Sequence, residues 1–221
     1  MPFAGDITAT ANGTLLFSVA AALLYGAMVH QPASWRRTVV KTLSVALLAL
    51  LAWSQDGPLL LVLALAASAA GDAALAAEDE SWFLPGLVAF LVAHLLYVAL
   101  FATGGQGFDL VASDMLRGVW AGLILIAAIM LVARLLPAVP NGMRPPVVVY
   151  ALAITAMGVA ALTWRGYALA VGATLFIMSD ALLAARKYLI AAGSAHQFWS
   201  GYAVWALYYA AQMAIALVIL L

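Results

Sequence analysis

The chain of 221 residues is 67% hydrophobic and 8% charged, with nine basic and nine acidic residues. Soluble domains carry about 25% charged residues, so this chain cannot cover a water-facing surface. Its mean hydropathy of +1.11 indicates a membrane protein, and the absence of cysteine excludes disulfides and thiolate chemistry.

Apolar runs that are long enough to cross roughly 30 Å of hydrocarbon follow one another along the chain. We count eight, at about residues 12–30, 38–54, 58–77, 82–102, 114–136, 145–163, 166–189 and 198–221. The second is short and carries Lys41 and Ser44. The sequence therefore predicts an all-α, polytopic membrane protein with eight transmembrane spans in a single domain over residues 1–221. No basic stretch precedes the first span, so no cleavable signal peptide is expected.

Basic residues are distributed unequally between the two sides of this predicted topology. The connections after the first, third, fifth and seventh spans define the richer side, which holds Arg36, Arg37, Lys41, Arg134, Arg144, Arg186 and Lys187. The other side holds Arg117 and Arg165. The positive-inside rule then places both termini outside the cytoplasm, and in a bacterium the membrane would be the inner one.

Two aspartates, Asp72 and Asp180, lie inside apolar stretches that are otherwise uncharged. A carboxylate near the middle of a bilayer costs roughly 2.5–3.5 kcal/mol, so each should line a cavity or meet a partner. The surrounding residues nearly repeat, with G-D-A-A-L-A-A at 71–77 and S-D-A-L-L-A-A at 179–185.

The match continues into the span that follows each aspartate. Phe83-x-x-Gly86-x7-His94-x-x-Tyr97 aligns with Phe198-x-x-Gly201-x7-Tyr209-x-x-Gln212. This predicts a parallel internal repeat of spans 1–4 and 5–8, with halves at about 12–102 and 114–221. A pseudo-twofold axis along the membrane normal would then bring the two carboxylates to equal depth, facing one another. Chance similarity between alanine-rich helices is the alternative.

Several blocks are similar to the YhhN family, the lysoplasmalogenases: G-D-A-A-L-A-A, F-L-P-G-L-V-A-F-L-V-A-H-L-L-Y, G-A-T-L-F-I-M-S-D-A-L-L-A and Y-Y-A-A-Q. The similarity runs from Lys41 to the last span, although Thr42 stands where the family often has proline. The resemblance implies an eight-helix membrane hydrolase. It would cleave the vinyl-ether bond of a lysoplasmalogen, a lysophospholipid, to a fatty aldehyde and a glycerophospho-alcohol.

The chemistry of a vinyl ether suits a pair of carboxyl groups. Its β-carbon is slowly protonated, and water then captures the oxocarbenium ion. Two facing carboxyl groups can share a proton near pH 7 and divide the roles of acid and base, as in glycoside hydrolysis. We expect Asp72 and Asp180 to be acid and base in either order, with His94, Tyr97 and Tyr209 tuning the pair or holding water.

Further polar residues are candidates for substrate binding: Lys41, Ser68, Tyr150, Ser179, Tyr208 and Gln212. Lys41, with Arg186 and Lys187, would lie near the lipid phosphate. Helix packing is the alternative role for the aromatic side chains, and bonding between helices is the alternative for Ser68, Gln212 and His94.

Other functions fit the residues less well. A transporter with an Asp/His proton relay is the main alternative, but it would favour glycine- or proline-broken helices at matching positions. An intramembrane aspartyl protease would need a Pro-Ala-Leu motif, and a zinc hydrolase would need clustered ligands, whereas His30 and His196 fall in loops. A purely structural lipid-binding protein would not need paired aspartates. We expect membrane lipids as partners, and no cofactor, metal or nucleic acid.

Overall fold

The computed structural model describes residues 2–6, 9–77 and 79–221, and these ranges form helices and no strand. The α-helices follow in chain order: α1 (Thr10–Met28), α2 (Trp35–Ser54), α3 (Leu59–Ala76), α4 (Glu80–Gly104), α5 (Phe108–Ser113), α6 (Met115–Leu135), α7 (Arg144–Ala161), α8 (Ala168–Tyr188) and α9 (Ala195–Leu220).

The eight predicted spans correspond to α1–α4 and α6–α9, which are long and apolar enough to cross a membrane. This confirms the prediction of an all-α, multi-pass integral membrane protein. The short helix α5 was not predicted, and it lies in the connection before α6.

Local capping explains where two of the helices begin. The second span was expected from residue 38, but α2 begins at Trp35 because the Ser34 hydroxyl caps its first turn, accepting a hydrogen bond from the Arg37 amide at 3.4 Å. Two prolines follow Arg144 in the first turn of α7, where a missing N–H leaves no helical bond unmade.

The helices belong to two compact units. The first comprises the chain up to Tyr97 together with Gln212–Leu221, and the second comprises Val98–Ala211. Helices α4 and α9 each contribute residues to both. The predicted single domain with repeat halves at about 12–102 and 114–221 stays a prediction.

In the first unit, glycines allow α3 and α4 to approach closely. A Cβ atom at Gly71 would lie 2.6 Å from Cδ2 of Phe90, and one at Gly86 would lie 2.7 Å from Cδ2 of Leu75. Both distances are too short for an unshifted contact. Because Gly71 precedes Asp72, this packing fixes the rotation of α3 at the aspartate.

In the second unit, a buried arginine joins the end of α7 to the start of α6. Arg117 is 4% exposed. Its guanidinium donates to the carbonyls of Leu162, Trp164 and Gly166 at 2.5–2.8 Å. Asp114, which caps α6, accepts from Arg117 Nε at 3.1 Å. One side chain therefore satisfies three carbonyls, one at the C-cap of α7 and two in the loop that follows it.

Tyr167 completes this arginine cluster. Its hydroxyl donates to Asp114 at 2.8 Å, and its ring lies 4.7 Å from the Arg117 guanidinium carbon. The hydrogen bond from the Tyr167 hydroxyl is the largest of the effects that lower the pKa of Asp114. The same hydrogen bond raises the pKa of Tyr167. The bonds of Asp114 therefore stabilise the folded state fully above the pKa that this carboxyl group has in the unfolded chain. This stabilisation is lost as the pH falls through the lower pKa of the folded state.

Substitution of Gly71 tests the close approach of α3 and α4. We expect Gly71→Ala to lower the free energy of unfolding by about 1–3 kcal/mol, because the added methyl group overpacks against Phe90. Gly122→Ala is the matched control, since a Cβ on α6 meets nothing within 4 Å. Thermal unfolding in detergent, followed by circular dichroism, compares the two. Equal midpoints would contradict the close packing of α3 against α4.

Substitution of Arg117 tests the arginine cluster. Arg117→Met should lower the free energy of unfolding by about 1–3 kcal/mol, because it leaves three carbonyls without their donor. Arg165→Met removes an exposed arginine from the same loop and should have little effect. The same unfolding assay measures both, and a similar small effect of the two variants would show that the cluster contributes little.

Candidate functional site

Asp72 lies on α3 in the first unit and meets a cation from α2. The aspartate is 1% exposed, and its Oδ1 lies 3.1 Å from Nζ of Lys41, whose side chain is 13% exposed. Such a buried carboxylate is tolerated when a counter-ion and hydrogen bonds replace water. Asp72 therefore has the partner that its burial in an apolar helix requires.

Tyr25 on α1 lies beside the same lysine and a second cation. Lys41 Nζ is 5.8 Å and the Arg37 guanidinium carbon 5.6 Å from the centre of the Tyr25 ring. Arg37 also donates to the Tyr25 hydroxyl and to the Val29 carbonyl, both at 3.3 Å. We had not predicted Tyr25 or Arg37 as site residues, although Arg37 and Lys41 are spaced one helical turn apart.

Helix α4 places His94 and Tyr97 in the first unit, and both are fully buried. His94 donates from Nδ1 to the Phe90 carbonyl at 2.6 Å, because a carbonyl can only accept. In a neutral ring Nε2 is then an acceptor. Tyr97 donates its hydroxyl hydrogen to Gln212 Oε1 at 2.5 Å, which joins α4 to α9.

Ser68 lies one turn before Asp72 on α3 and is fully buried. Its hydroxyl makes no hydrogen bond to the described residues. The bond between helices that we considered for Ser68 is therefore not found within the described ranges, and its role in substrate binding stays a prediction.

Asp180 lies on α8 in the second unit and is half-buried. The Tyr150 hydroxyl, from α7, donates to Asp180 Oδ2. The neighbouring Ser179 donates to the Val204 carbonyl on α9 at 3.0 Å. Asp180 thus meets a phenol, whereas Asp72 meets an ammonium group.

Tyr208 and Tyr209 belong to an aromatic cluster in the second unit. The Tyr208 ring lies edge-on to Phe176 at 5.4 Å, and Tyr209 stacks on Trp205 at 6.0 Å. Both tyrosines are buried. Packing between aromatic rings accounts for these contacts, so a further role for either tyrosine in binding or catalysis stays a prediction.

The structure thus distributes the predicted residues between the units. The first contains Lys41, Ser68, Asp72, His94, Tyr97 and Gln212, and the second contains Tyr150, Ser179, Asp180, Tyr208 and Tyr209. The facing of the two carboxylates stays a prediction. Within the described part of the chain, no three His, Asp or Glu side chains are placed to hold a metal ion.

The sequence is similar to known proteins over most of its length. The YhhN family model matches residues 36–219, which include both aspartates. Human lysoplasmalogenase TMEM86B is 35% identical over 192 residues, which cover 83% of this chain and 75% of the relative. Bovine lysoplasmalogenase TMEM86A is 31% identical over 68% of this chain and 60% of the relative. For mouse lysoplasmalogenase TMEM86B the values are 33%, 71% and 65%. No solved structure gives a significant match.

Proposed function

The chain belongs to the YhhN family, and we propose from this premise that it is a membrane-embedded lysoplasmalogenase. It would hydrolyse the vinyl-ether bond of a lysoplasmalogen to a fatty aldehyde and a glycerophospho-alcohol. The observation that carries the proposal is the similarity to relatives of that name, at 31–35% identity. Two carboxyl groups within apolar helices supply the acid–base chemistry that this bond requires.

The reaction needs a proton donor at carbon and a group that directs water. Protonation of the β-carbon produces an oxocarbenium ion, and water adds to the carbon that bears the ether oxygen. The resulting hemiacetal collapses to aldehyde and alcohol. Asp72 and Asp180 would serve as acid and base, because both lie within the matched segment and each already has a polar partner from a neighbouring helix.

The remaining predicted residues would support this pair. His94, with Nδ1 occupied by the Phe90 carbonyl, can offer Nε2 to water, while Tyr97 and Tyr209 would tune the pair or hold water. Ser68, Ser179, Tyr208 and Gln212 would line the path of the substrate, and Tyr150 would position Asp180.

The lysolipid would enter from the bilayer with its alkenyl chain between helices. Its phosphate would lie near Lys41, Arg186 or Lys187, on the side that carries most of the basic residues. The same charge distribution supports a topology with both termini outside the cytoplasm.

Two repeated contacts support the internal repeat on which the pairing of aspartates depends. Gly71, which precedes Asp72, contacts Phe90 on α4. Ser179, which precedes Asp180, contacts Val204 on α9. The repeat aligns Phe90 with the residue next to Val204. Tyr97 and Gln212, which the repeat aligns with each other, share a hydrogen bond.

Product analysis tests the proposed function. Purified protein is incubated with a lysoplasmalogen and, separately, with an ester lysophospholipid of the same head group, and aldehyde and free fatty acid are measured. We expect aldehyde from the first and no fatty acid from the second. No turnover of either substrate would contradict the proposal and favour the transporter alternative.

Substitution of the aspartates tests their catalytic role. Asp72→Asn and Asp180→Asn should each reduce aldehyde release by roughly 10²–10⁴-fold, because each role needs an oxygen that gains or loses a proton. Asp109→Asn, on the exposed face of α5, is the control and should retain parental turnover. Size-exclusion chromatography and circular dichroism check that all three fold. Near-parental turnover by either site variant would make that carboxylate structural.

Substitution of His94 separates positioning from proton transfer. His94→Gln keeps a hydrogen-bonding side chain that cannot titrate, and we expect turnover to fall by roughly 10- to 10³-fold, less than for an aspartate variant. The pH–rate profile should also move, because the proton on the pair belongs to the coupled groups. A slower rate with an unmoved profile would make His94 a positioning residue only. A loss equal to that of Asp72→Asn would promote it to acid or base.

A further inference from the structure

The partners of the two aspartates occupy the same position in the helix that precedes each one. Lys41 lies six residues after the start of α2 at Trp35, and Tyr150 lies six residues after the start of α7 at Arg144. Lys41 then pairs with Asp72 on α3, and Tyr150 donates to Asp180 on α8. One structural position therefore supplies an ammonium group in the first unit and a phenol in the second.

These two partners favour different charge states. An ammonium group 3.1 Å from a buried oxygen stabilises a carboxylate, and in a site of low polarity little water is present to weaken the attraction. A phenol is neutral and can donate to either form. When the carboxyl group is neutral, the phenol donates to its carbonyl oxygen. Because Tyr150 donates to Oδ2 of Asp180, the proton of a neutral Asp180 would be on Oδ1.

We propose that Lys41 is a positioning residue that holds Asp72 as the ionised base, so that Asp180 is the acid that protonates the substrate. The assignment rests on the proposed function, which leaves the two roles open. It gives Lys41 a role through Asp72 in addition to the proposed contact with the lipid phosphate.

The complete cycle returns both groups to these states. Asp180 Oδ1–H gives its proton to the β-carbon, and the alkenyl π electrons form the new C–H bond. Water adds to the cationic carbon while Asp72 takes one of its protons. The hemiacetal hydroxyl then returns a proton to Asp180, the bond from carbon to the glyceryl oxygen breaks, and that oxygen takes the proton from Asp72.

Other groups near Asp72 keep their places in this assignment. Helix α1 contributes Tyr25, whose ring adjoins Lys41, and α2 contributes Arg37 one turn away. Helix α4, which packs on Gly71, carries His94 and Tyr97. Lys41 pairs directly with the Asp72 carboxylate, at 3.1 Å.

The pH–rate profile of aldehyde release tests the role of Lys41. In Lys41→Met the acidic limb should move to higher pH, while the alkaline limb stays, because a base must lose its proton to act. A shift of one pH unit is a tenfold loss of rate on that limb. Lys41→Arg keeps the charge and should restore much of the parental profile, and Arg134→Met removes an exposed cation as the control. Movement of the alkaline limb, or of neither limb, would overturn the assignment.

A second measurement needs no turnover. In infrared difference spectra recorded as pH is raised, the C=O stretch of a protonated carboxyl group should be absent from Asp180→Asn and present in Asp72→Asn. If the band is lost in Asp72→Asn and kept in Asp180→Asn, the charge assignment is overturned. This result does not depend on whether the Lys41 variants fold. A parental protein that shows the expected band but releases no aldehyde would overturn the proposed function and the acid and base roles, and would leave the charge assignment standing.

Discussion

The cost of placing a carboxylate in hydrocarbon governs the arrangement of this protein. A charged side chain inside an apolar helix is stable only where a neighbouring helix supplies a partner at hydrogen-bonding distance. Lys41 does this for Asp72, and Tyr150 does it for Asp180. Each pairing fixes the rotation of two adjacent helices, so a polar group that is unfavourable alone becomes a determinant of packing.

Close helix approach is the second condition for these pairings. Between transmembrane helices there is little hydrophobic driving force, and small residues allow the backbones to come together. Gly71 receives the Phe90 ring, and Asp72 follows directly in the sequence. The glycine and the aspartate therefore act as one unit, since the contact of the first sets the direction of the second. Ser179 holds the corresponding place before Asp180 and reaches α9 by a hydrogen bond.

The spans were predictable because a membrane of known thickness requires helices of known length, and all eight were found. Their ends were less predictable, since α2 begins at a serine cap in a charged segment that hydropathy excludes. The two aspartates could be singled out by their burial cost. Their partners could not, because hydropathy and periodicity do not give the relative rotation of helices. The pairing of Lys41 with Asp72 and the contacts of Arg117 with loop carbonyls were therefore not predicted.

The proposed repeat would start with two identical carboxyl groups, whereas the proposed hydrolysis needs one that donates a proton and one that accepts it. The proposal therefore requires the surroundings of Asp72 and Asp180 to differ. The observed difference lies one helix away from each aspartate, where the residue six positions after the helix start is lysine in α2 and tyrosine in α7. Under the proposed assignment, this difference in charge would separate the two roles without altering the G-D or S-D segment. A change in the supporting helix would then convert a symmetric pair of carboxyl groups into an acid and a base.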